Sequence, residues 1–438
     1  MKAFSGYVRR GTAPIPLVAF KASADVLSKA VTLAVMVASA RTLSGGEFGV
    51  LAVGMTAGWI LGVASDAGLP MYLARLMAQT SRSQRPLFDT IAAVMRLRAA
   101  FGAAAGIVGV ATAFLLAPSL VWPFTLIVAS QILAAMVETV AHAYRGLGRT
   151  EIESTIIVIQ RGITGVAALA VLLTRPTLTA LALALVVPPA IGLAVSLSVA
   201  RRLTTEPEPK TEHAPAPEPP FRLASTAFLR EAAPVGLGIL LSALYFRCDV
   251  FFVESWHGVD TAGIYNAAFR LIEALRLIPA AALAVAFPAL CRATDLRIVT
   301  RLGAGLACGA AALAIVVYVS APSVLESSYG PRFITATPAL QVLAAAIPLF
   351  FLNYALTHQV IAWEGQRRYL GITMAALAAN LSGNVLLIPS GGMTGAALST
   401  LVTELVVAGG CVLMLATGRD TASRQPLTAG RAELEVPR

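Results

Sequence analysis

Charged side chains interrupt several long apolar runs of the sequence. The first run carries Lys21, Asp25 and Lys29 at i, i+4 and i+8, which places all three on one face of a helix. An aspartate four residues before a lysine is the favoured order for an ion pair. The stripe therefore either neutralises itself or presents Lys29 to an anion inside a cavity. A further cation, Arg161, lies in the fifth run.

A second group of charges lies in the latter half of the chain. Arg270, Glu273 and Arg276 follow one another at i+3 spacing and share a helical face. Arg247 and Asp249 lie two residues apart, so they point to different sides of their helix. A charge in hydrocarbon costs a few kcal/mol or more, so such residues face the protein interior or a water-filled cavity. Anion binding and interhelical ion pairing are both consistent with these positions.

Polar pairs at helical spacing form a third group. Glu138 and His142 are four residues apart, and an imidazole beside a carboxylate is suited to proton coupling because histidine titrates near neutral pH. A structural hydrogen bond is the commoner use of such a pair, and the same two interpretations apply to Glu404. Asn380 and Asn384 are predicted to donate and accept hydrogen bonds between helices.

The elements that position these residues are membrane-spanning helices. Of the 438 residues, 57% are hydrophobic and 13% charged, whereas about a quarter of a soluble domain is charged. The uncharged runs have the roughly 20 residues that a bilayer requires, and helices satisfy their own backbone in lipid. About twelve spans are predicted, so the expected fold is an all-α polytopic membrane protein. The expected spans are 17–40, 48–68, 93–116, 120–143, 154–174, 178–200, 229–253, 262–286, 299–321, 338–362, 370–389 and 394–416.

A Pro- and Glu-rich segment divides the chain into two halves of six spans. This linker, 201–226, has almost nothing to bury and is expected to be extended or disordered. The expected organisation is an arm (1–16), a first half (17–200), the linker, a second half (227–417) and a tail (418–438). The four cysteines are scattered without metal-like spacing, so neither a disulfide framework nor a metal site is indicated, and no cofactor is expected.

The basic residues predict the orientation in the membrane. Most of the 33 lysines and arginines fall in the arm, the linker, the tail and the connections on that same side. The alternate connections hold Arg41, Arg175 and Arg332. The positive-inside rule then predicts that both termini are cytoplasmic, and the expected location is the cell (inner/plasma) membrane. The net charge of +10 follows from this topology and requires no nucleic acid.

Two turns far apart in the chain resemble each other. "SGGEFGVL" (44–51) follows the first span and "GVDTAGIY" (258–265) follows the seventh, and each has an acid before a glycine that opens an apolar run. Two six-span units related by duplication insert with the same orientation and enclose a cavity between them. The two turns are therefore predicted to be equivalent and to lie on the outer side.

These two turns, together with Ser65-Asp66-Ala67-Gly68-Leu69 near the end of the second span, carry a resemblance to a known superfamily. The chain resembles the multidrug/oligosaccharidyl-lipid/polysaccharide (MOP) exporters, and within them the bacterial polysaccharide flippases. The resemblance implies that spans one, two, seven and eight line a central cavity. The candidate substrate-binding cations are Lys29, Arg247, Arg270 and Arg276 in these spans, and Arg161 in span five. Asp25, Glu138, His142, Asp249 and Glu273 are the candidate coupling or charge-pair residues.

The resemblance implies a transporter that flips a polyprenyl-diphosphate-linked oligosaccharide by alternating access. Expected partners are this substrate, membrane lipids, and the polymerase and glycosyltransferases of the same pathway. An ion-coupled exporter of small molecules, of the multidrug and toxin extrusion kind, is the main alternative, and a non-transporting scaffold is a third. An enzyme is not expected, because the predicted outer connections are short and carry no nucleotide-binding or catalytic motif.

Overall fold

The computed structural model describes residues 15–79, 87–205, 226–292, 296–363 and 366–417. These residues form α-helices joined by short turns, with one 3₁₀ segment at Pro331–Ala336. The helices of the first half are α1 (Ile15–Thr42), α2 (Gly45–Asp66), α3 (Leu69–Gln79), α4 (Leu87–Leu116), α5 (Val121–Gly146), α6 (Thr150–Thr174) and α7 (Leu178–Thr205). Those of the second half are α8 (Thr226–Arg247), α9 (Asp249–Leu275), α10 (Leu277–Arg292), α11 (Arg297–Tyr329), α12 (Thr337–Ala362) and α13 (Gln366–Thr417).

The helices give about twelve membrane crossings, which confirms the predicted all-α polytopic fold. Within the described residues, nine stretches are long and apolar enough to span a bilayer. Two of them, of 48 and 50 residues, are long enough to cross twice. Gly258 (φ 83°) and Gly392 (φ 52°) interrupt these two stretches in the left-handed region, at the predicted turns between spans. Helix α1, with 28 residues, supplies the remaining crossing.

Two faces of the bundle follow from this topology. We call the face that holds the end of α7 and the start of α8 the linker face. The opposite face, which holds Gly49 and Gly258, is the turn face. The predicted arm, linker and tail lie largely outside the described residues, so the division into five segments stays a prediction.

Two helical segments differ from the predicted boundaries. Helix α7 continues to Thr205, into the predicted linker, and Arg201 and Arg202 in its last turns interact favourably with the helix C-terminus. Helix α3 was not predicted, because its 11 residues are too few for a span. Its signal is nevertheless present in the sequence: Leu69, Leu73 and Met77 are spaced by four and all are buried.

The two related turns pack directly against each other on the turn face. A Cβ atom added at Gly49 would lie 2.1 Å from the Val259 carbonyl oxygen, and one added at Gly263 would lie 2.8 Å from the Gly49 Cα. Only glycine permits this approach of α2 and α9. One turn deeper, Asn266 Nδ2 donates to the Ala52 carbonyl oxygen at 3.2 Å. The glycines shared by the two turns therefore join the two halves.

Two arginines reinforce this contact from opposite halves. Arg41, at the end of α1, donates from Nε to the Ser328 carbonyl oxygen at 2.7 Å and from Nη2 to the Ser327 carbonyl oxygen, both at the end of α11. In return, Arg332 Nη2 donates to the Ala40 carbonyl oxygen of α1 at 3.4 Å. Helix C-termini attract cations, so each arginine stabilises the end of a helix from the other half.

The buried apolar side chains show where the halves meet and where they separate. The largest cluster takes residues from both halves towards the turn face, including Phe48, Tyr265 and Phe333. Two smaller clusters lie towards the linker face, one wholly within the first half around Tyr144 and one wholly within the second half around Leu290. The halves are thus joined at the turn face and stand apart at the linker face, which leaves a cavity between them.

Candidate functional site

The main cavity lies between the two halves and has a volume of about 760 Å³. Its lining comes from α1, α2, α5 and α6 on one side and from α8, α9, α10, α12 and α13 on the other. Residues at helix ends on the linker face, including Arg145, Glu153 and Tyr369, belong to this lining. The cavity therefore reaches the linker face, whereas the packed glycine turns close it at the turn face.

A smaller inner chamber of about 140 Å³ adjoins the main cavity on its turn-face side. The two spaces share Lys29, Trp59, Arg161 and Glu273 in their linings. The inner chamber also contains the two cations Arg247 and Arg270, as well as Thr32, Thr56 and Gln131. Its lining thus holds four cations against one carboxylate.

Glu273 is the centre of this chamber and pairs with three cations from three helices. Its Oε2 accepts hydrogen bonds from Arg247 Nη2 of α8 and from Arg270 Nη1 of α9, the latter at 3.0 Å. Lys29 Nζ of α1 lies 3.8 Å from Oε1. The predicted stripe on α1 thus presents Lys29 towards the second half, and the Asp25 side chain lies outside the described residues. One carboxylate cannot neutralise three cations, so the cluster retains positive charge.

Hydrogen-bond donors at this cluster are left without partners. Among the described residues, Arg247 Nη1 and Arg270 Nε are buried and make no hydrogen bond. The Arg247 side chain is 3% exposed and that of Arg270 is 16% exposed, so little water reaches either. An unsatisfied buried donor costs about 1–3 kcal/mol. An anion in the chamber would accept these hydrogen bonds and offset the excess charge.

Arg276 lies at a break in the eighth crossing, between α9 and α10. Pro279 has no N–H to bond the carbonyl of the preceding turn, which accounts for the break at this point. The Arg276 guanidinium lies 4.0 Å from the Phe246 ring centroid and 5.3 Å from those of Phe350 and Tyr354. Its Nε is buried without a partner among the described residues. Aromatic rings therefore hold the cation while its donor capacity stays available.

The predicted pair of Glu138 and His142 is not formed. The carboxylate of Glu138 instead accepts a hydrogen bond from Arg161 Nη2 of α6 at 2.5 Å. His142 Nδ1 lies 2.8 Å from the Glu138 carbonyl oxygen, one helical turn earlier. Helical spacing brought the two residues to one face, but the guanidinium from the neighbouring helix is the stronger partner for the carboxylate. Both residues nevertheless line the main cavity.

Asp249 faces away from both cavities, as its separation of two residues from Arg247 predicted. Its side chain accepts hydrogen bonds from the Tyr265 hydroxyl, from the Val250 N–H at 2.9 Å and from Thr400 Oγ1 at 3.4 Å. It therefore ties α9 to the last crossing. Of the ten candidate residues, eight line one of the two cavities, Asp249 does not, and the Asp25 side chain is not described.

The two asparagines of α13 make the predicted interhelical contacts. Asn380 Nδ2 donates to Thr403 Oγ1 at 3.1 Å, across the kink at Gly392. Asn384 Nδ2 donates to Asn380 Oδ1 at 2.9 Å, and Cys248 Sγ of the α8–α9 break donates to the same oxygen at 3.0 Å. This confirms the prediction that they join helices.

The main cavity differs from the inner chamber in its balance of charge. Four carboxylates (Glu138, Glu153, Glu273, Glu404) oppose four cations (Lys29, Arg145, Arg161, Arg276) in its lining. The expected cationic character is therefore concentrated in the inner chamber. The sequence reasoning also missed Trp59, Asn353 and the aromatic residues of α8 and α12, whose types are common in apolar spans.

Several solved structures of membrane transporters have a similar fold. It is similar to a multidrug resistance MATE family transporter of the MOP superfamily in an inward-facing conformation (TM-score 0.67, 14% identity, 90% of this chain and 96% of that one). It is also similar to the lipid II flippase MurJ in an inward closed conformation (TM-score 0.65, 11% identity, 90% and 87%). A MOP superfamily transporter from Pyrococcus furiosus with a binding pocket of reverse polarity matches as well (TM-score 0.56, 15% identity, 92% and 95%). The fold is that of the MOP superfamily.

The sequence identifies the family of the chain more narrowly than the fold does. The family model for polysaccharide biosynthesis proteins matches residues 18–294, which is more than half of the chain. The chain belongs to this polysaccharide biosynthesis protein family, and it has the multi-pass membrane fold that the transporters of the MOP superfamily share. No curated protein sequence matches it.

Proposed function

We propose that the protein flips a polyprenyl-diphosphate-linked oligosaccharide across the membrane. The observation that carries this proposal is the cluster around Glu273, where Lys29, Arg247 and Arg270 converge on a single carboxylate. A diphosphate that links a lipid to a sugar bears two negative charges and accepts several hydrogen bonds. Arginine forks suit phosphate oxygens bidentately, and Lys29 adds a point charge.

The two adjoining cavities would divide the substrate between them. The cationic inner chamber and Arg276 hold the diphosphate, the main cavity takes the sugars, and the polyprenyl tail stays in the lipid. Because the halves are packed at the turn face and apart at the linker face, the substrate enters from the linker face. Rocking of the two halves then opens the turn face, as in other transporters built from repeats.

Orientation and partners follow from the same reasoning. The concentration of basic residues in the connections on one side favours a cytoplasmic linker face and cytoplasmic termini, in the inner membrane of a bacterium. The substrate is made on that side, so the glycosyltransferases act before this protein and the polymerase after it. The protein catalyses no bond formation; its energy source is an ion gradient or the gradient of the substrate itself.

Export of small organic cations is the second candidate function. The observations that favour it are the four carboxylates in the main cavity and the similarity in fold to a multidrug transporter. A cationic drug would be repelled from the inner chamber but attracted by Glu404 and Glu138. The two functions therefore predict opposite effects when the cations of the inner chamber are neutralised.

Transport in proteoliposomes separates the two candidates. Fluorescent polyprenyl-diphosphate-linked oligosaccharide is incorporated into vesicles, and its translocation is followed by quenching from outside. We expect Arg270→Gln to slow translocation at least tenfold. Arg301→Gln removes the same charge from an exposed position of α11 and should leave the rate unchanged. Normal translocation by the neutral Arg270/Glu273/Arg276 variant, or export of a cationic dye that improves in it, would overturn the flippase proposal.

A further inference from the structure

The two walls of the main cavity differ in chemistry. On the first-half wall, Arg145 pairs with Glu153 and Arg161 pairs with Glu138. Apart from Glu273 and Arg276, the second-half wall is instead rich in aromatic residues, with one amide and one further carboxylate. We call these residues the aromatic wall: Tyr245, Asn353, Tyr354, His358, Tyr369 and Glu404.

Two rings of the aromatic wall are stacked on each other on α12. Tyr354 and His358 are one turn apart, their ring centroids are 5.8 Å apart, and their planes are within 14° of parallel. The imidazole is held in place because Nδ1 lies 2.7 Å from the Tyr354 carbonyl oxygen. The negative face of an aromatic ring attracts the slightly positive C–H groups of a pyranose ring, which is itself roughly flat.

A fixed pair of hydrogen-bonding groups lies beside these rings. Asn353 Nδ2 donates to Glu404 Oε2 at 2.6 Å and to the Glu404 carbonyl oxygen at 2.9 Å. Asn353 is 5% and Glu404 4% exposed, so both are nearly enclosed by protein. Asn353 Oδ1 is buried and accepts no hydrogen bond from the described residues. Asn353 and Glu404 can thus accept further hydrogen bonds, which suits a ligand rich in hydroxyl or amide donors.

The aromatic wall adjoins the cation that would hold the diphosphate. Tyr354 is one of the rings around the Arg276 guanidinium, and the centroid of the Tyr354 ring lies 5.3 Å from the guanidinium carbon. A diphosphate bound by the unpartnered Nε of Arg276 therefore places the sugar attached to it next to Tyr354 and His358.

We propose that the aromatic wall is the binding subsite for the sugar directly attached to the diphosphate. An outer face of the stacked Tyr354–His358 pair packs on the pyranose ring, and Asn353 and Glu404 accept hydrogen bonds from its donors. Since the Glu404 carboxylate repels a second carboxylate, the subsite selects neutral or N-acetylated sugars against uronic acids. This inference rests on the proposed function, because it assigns part of the same cavity to part of the same substrate.

Binding to the purified full-length protein in nanodiscs tests the subsite. Three short-chain probes are compared: geranyl diphosphate, geranyl diphosphoryl glucose and geranyl diphosphoryl glucuronic acid. In the wild type we expect glucose to tighten the Kd about tenfold over geranyl diphosphate and glucuronic acid to give no gain. Tyr354→Leu should remove the gain from glucose and leave geranyl diphosphate binding within about twofold. Tyr354→Phe keeps the ring and should retain most of the gain.

Control variants separate this inference from the proposed function. Tyr318→Leu removes an exposed ring of α11 and should change no Kd. Arg276→Gln should weaken all three probes, and Glu404→Gln should let glucuronic acid bind as well as glucose. Equal affinity of the wild type for geranyl diphosphate with and without glucose overturns the sugar subsite but not the flippase. If Tyr354→Leu lowers the affinity for geranyl diphosphate as much as for the glucose compound, its role is structural and the subsite is overturned. Failure of every probe to bind overturns the proposed function itself.

Discussion

A single methyl group added at Gly49 is expected to open the turn face. The Cβ of Gly49→Ala would lie 2.1 Å from the Val259 carbonyl oxygen, more than an ångström inside the 3.4 Å at which ordinary contact begins. The atom it meets is backbone, so no side-chain rotation relieves the clash. Helices α2 and α9 must separate where the two halves touch.

The size of the effect follows from the cost of overpacking. Forcing one extra carbon into a close-packed contact costs about 1–3 kcal/mol. Because this contact exists only while the turn face is closed, the whole cost falls on that state. A change of about 1–3 kcal/mol alters the ratio of closed to open molecules by roughly 5- to 150-fold.

Cysteine accessibility measures this shift. The native cysteines are replaced by serine, and Ala52→Cys, buried on α2 one turn below Gly49, is labelled with a membrane-impermeant maleimide from the turn face. We expect faster labelling with Gly49→Ala and slower translocation, since fewer molecules can load from the linker face. Gly46→Ala is the matched control, because its Cβ would meet nothing within 4 Å. Equal labelling rates for the two variants would refute the role of this contact in closing the turn face.

Three further predictions concern topology, the linker and the core. Tags near Pro215 and at the C-terminus should report cytoplasm and a tag at Gly258 the outer side; an external label that reached the linker in intact cells would contradict the topology. Deleting four residues from the predicted linker should leave accumulation and translocation intact, because loop-closure entropy changes slowly with length; lost accumulation would show that the segment is structured. Arg98→Ala should destabilise the detergent-purified protein by about 3 kcal/mol or more. The fully buried Arg98 guanidinium lies 2.5 Å from the Asp66 carboxylate, and its removal leaves that carboxylate without its cation. Arg96→Ala, on the exposed side of the same helix, should leave the melting temperature unchanged. Equal melting temperatures for the two variants would refute the stabilising role of the Arg98–Asp66 ion pair.

The crossings could be read from the sequence because lipid imposes a simple rule. A run of about 20 apolar residues must form a helix, and a glycine in a short polar gap must end it. Gly258 and Gly392 therefore separated predicted spans correctly even though the helices on either side are nearly continuous. Helix α3 was not predicted because the same rule does not apply to an amphipathic segment of 11 residues, which is too short to span a bilayer.

The partners of the charged residues could be predicted only in part. Spacing along one helix placed Arg270 and Glu273 together, and they do pair at 3.0 Å. It said nothing of Lys29 and Arg247, which reach the same carboxylate from α1 and α8. It also misled for Glu138, whose partner Arg161 comes from the next helix. Which cation pairs with a given carboxylate depends on which helices are neighbours. In a bundle of a dozen crossings, the neighbours of a helix are determined by the whole fold.

The position of the excess charge also depends on the fold. Along the chain, the candidate cations of spans one, five, seven and eight taken together outnumber the candidate carboxylates of the same spans, which predicts one cationic cavity. In three dimensions, the positive charge of the main cavity near the linker face is balanced by carboxylates that include Glu138, Glu153 and Glu404. The cations without a matching carboxylate lie in the inner chamber beyond it. A substrate that carries its charge at one point and neutral groups elsewhere fits this separation better than a compact organic cation does. The division of charge between the two spaces, more than the total charge of the spans, is therefore the feature that favours a lipid-linked oligosaccharide.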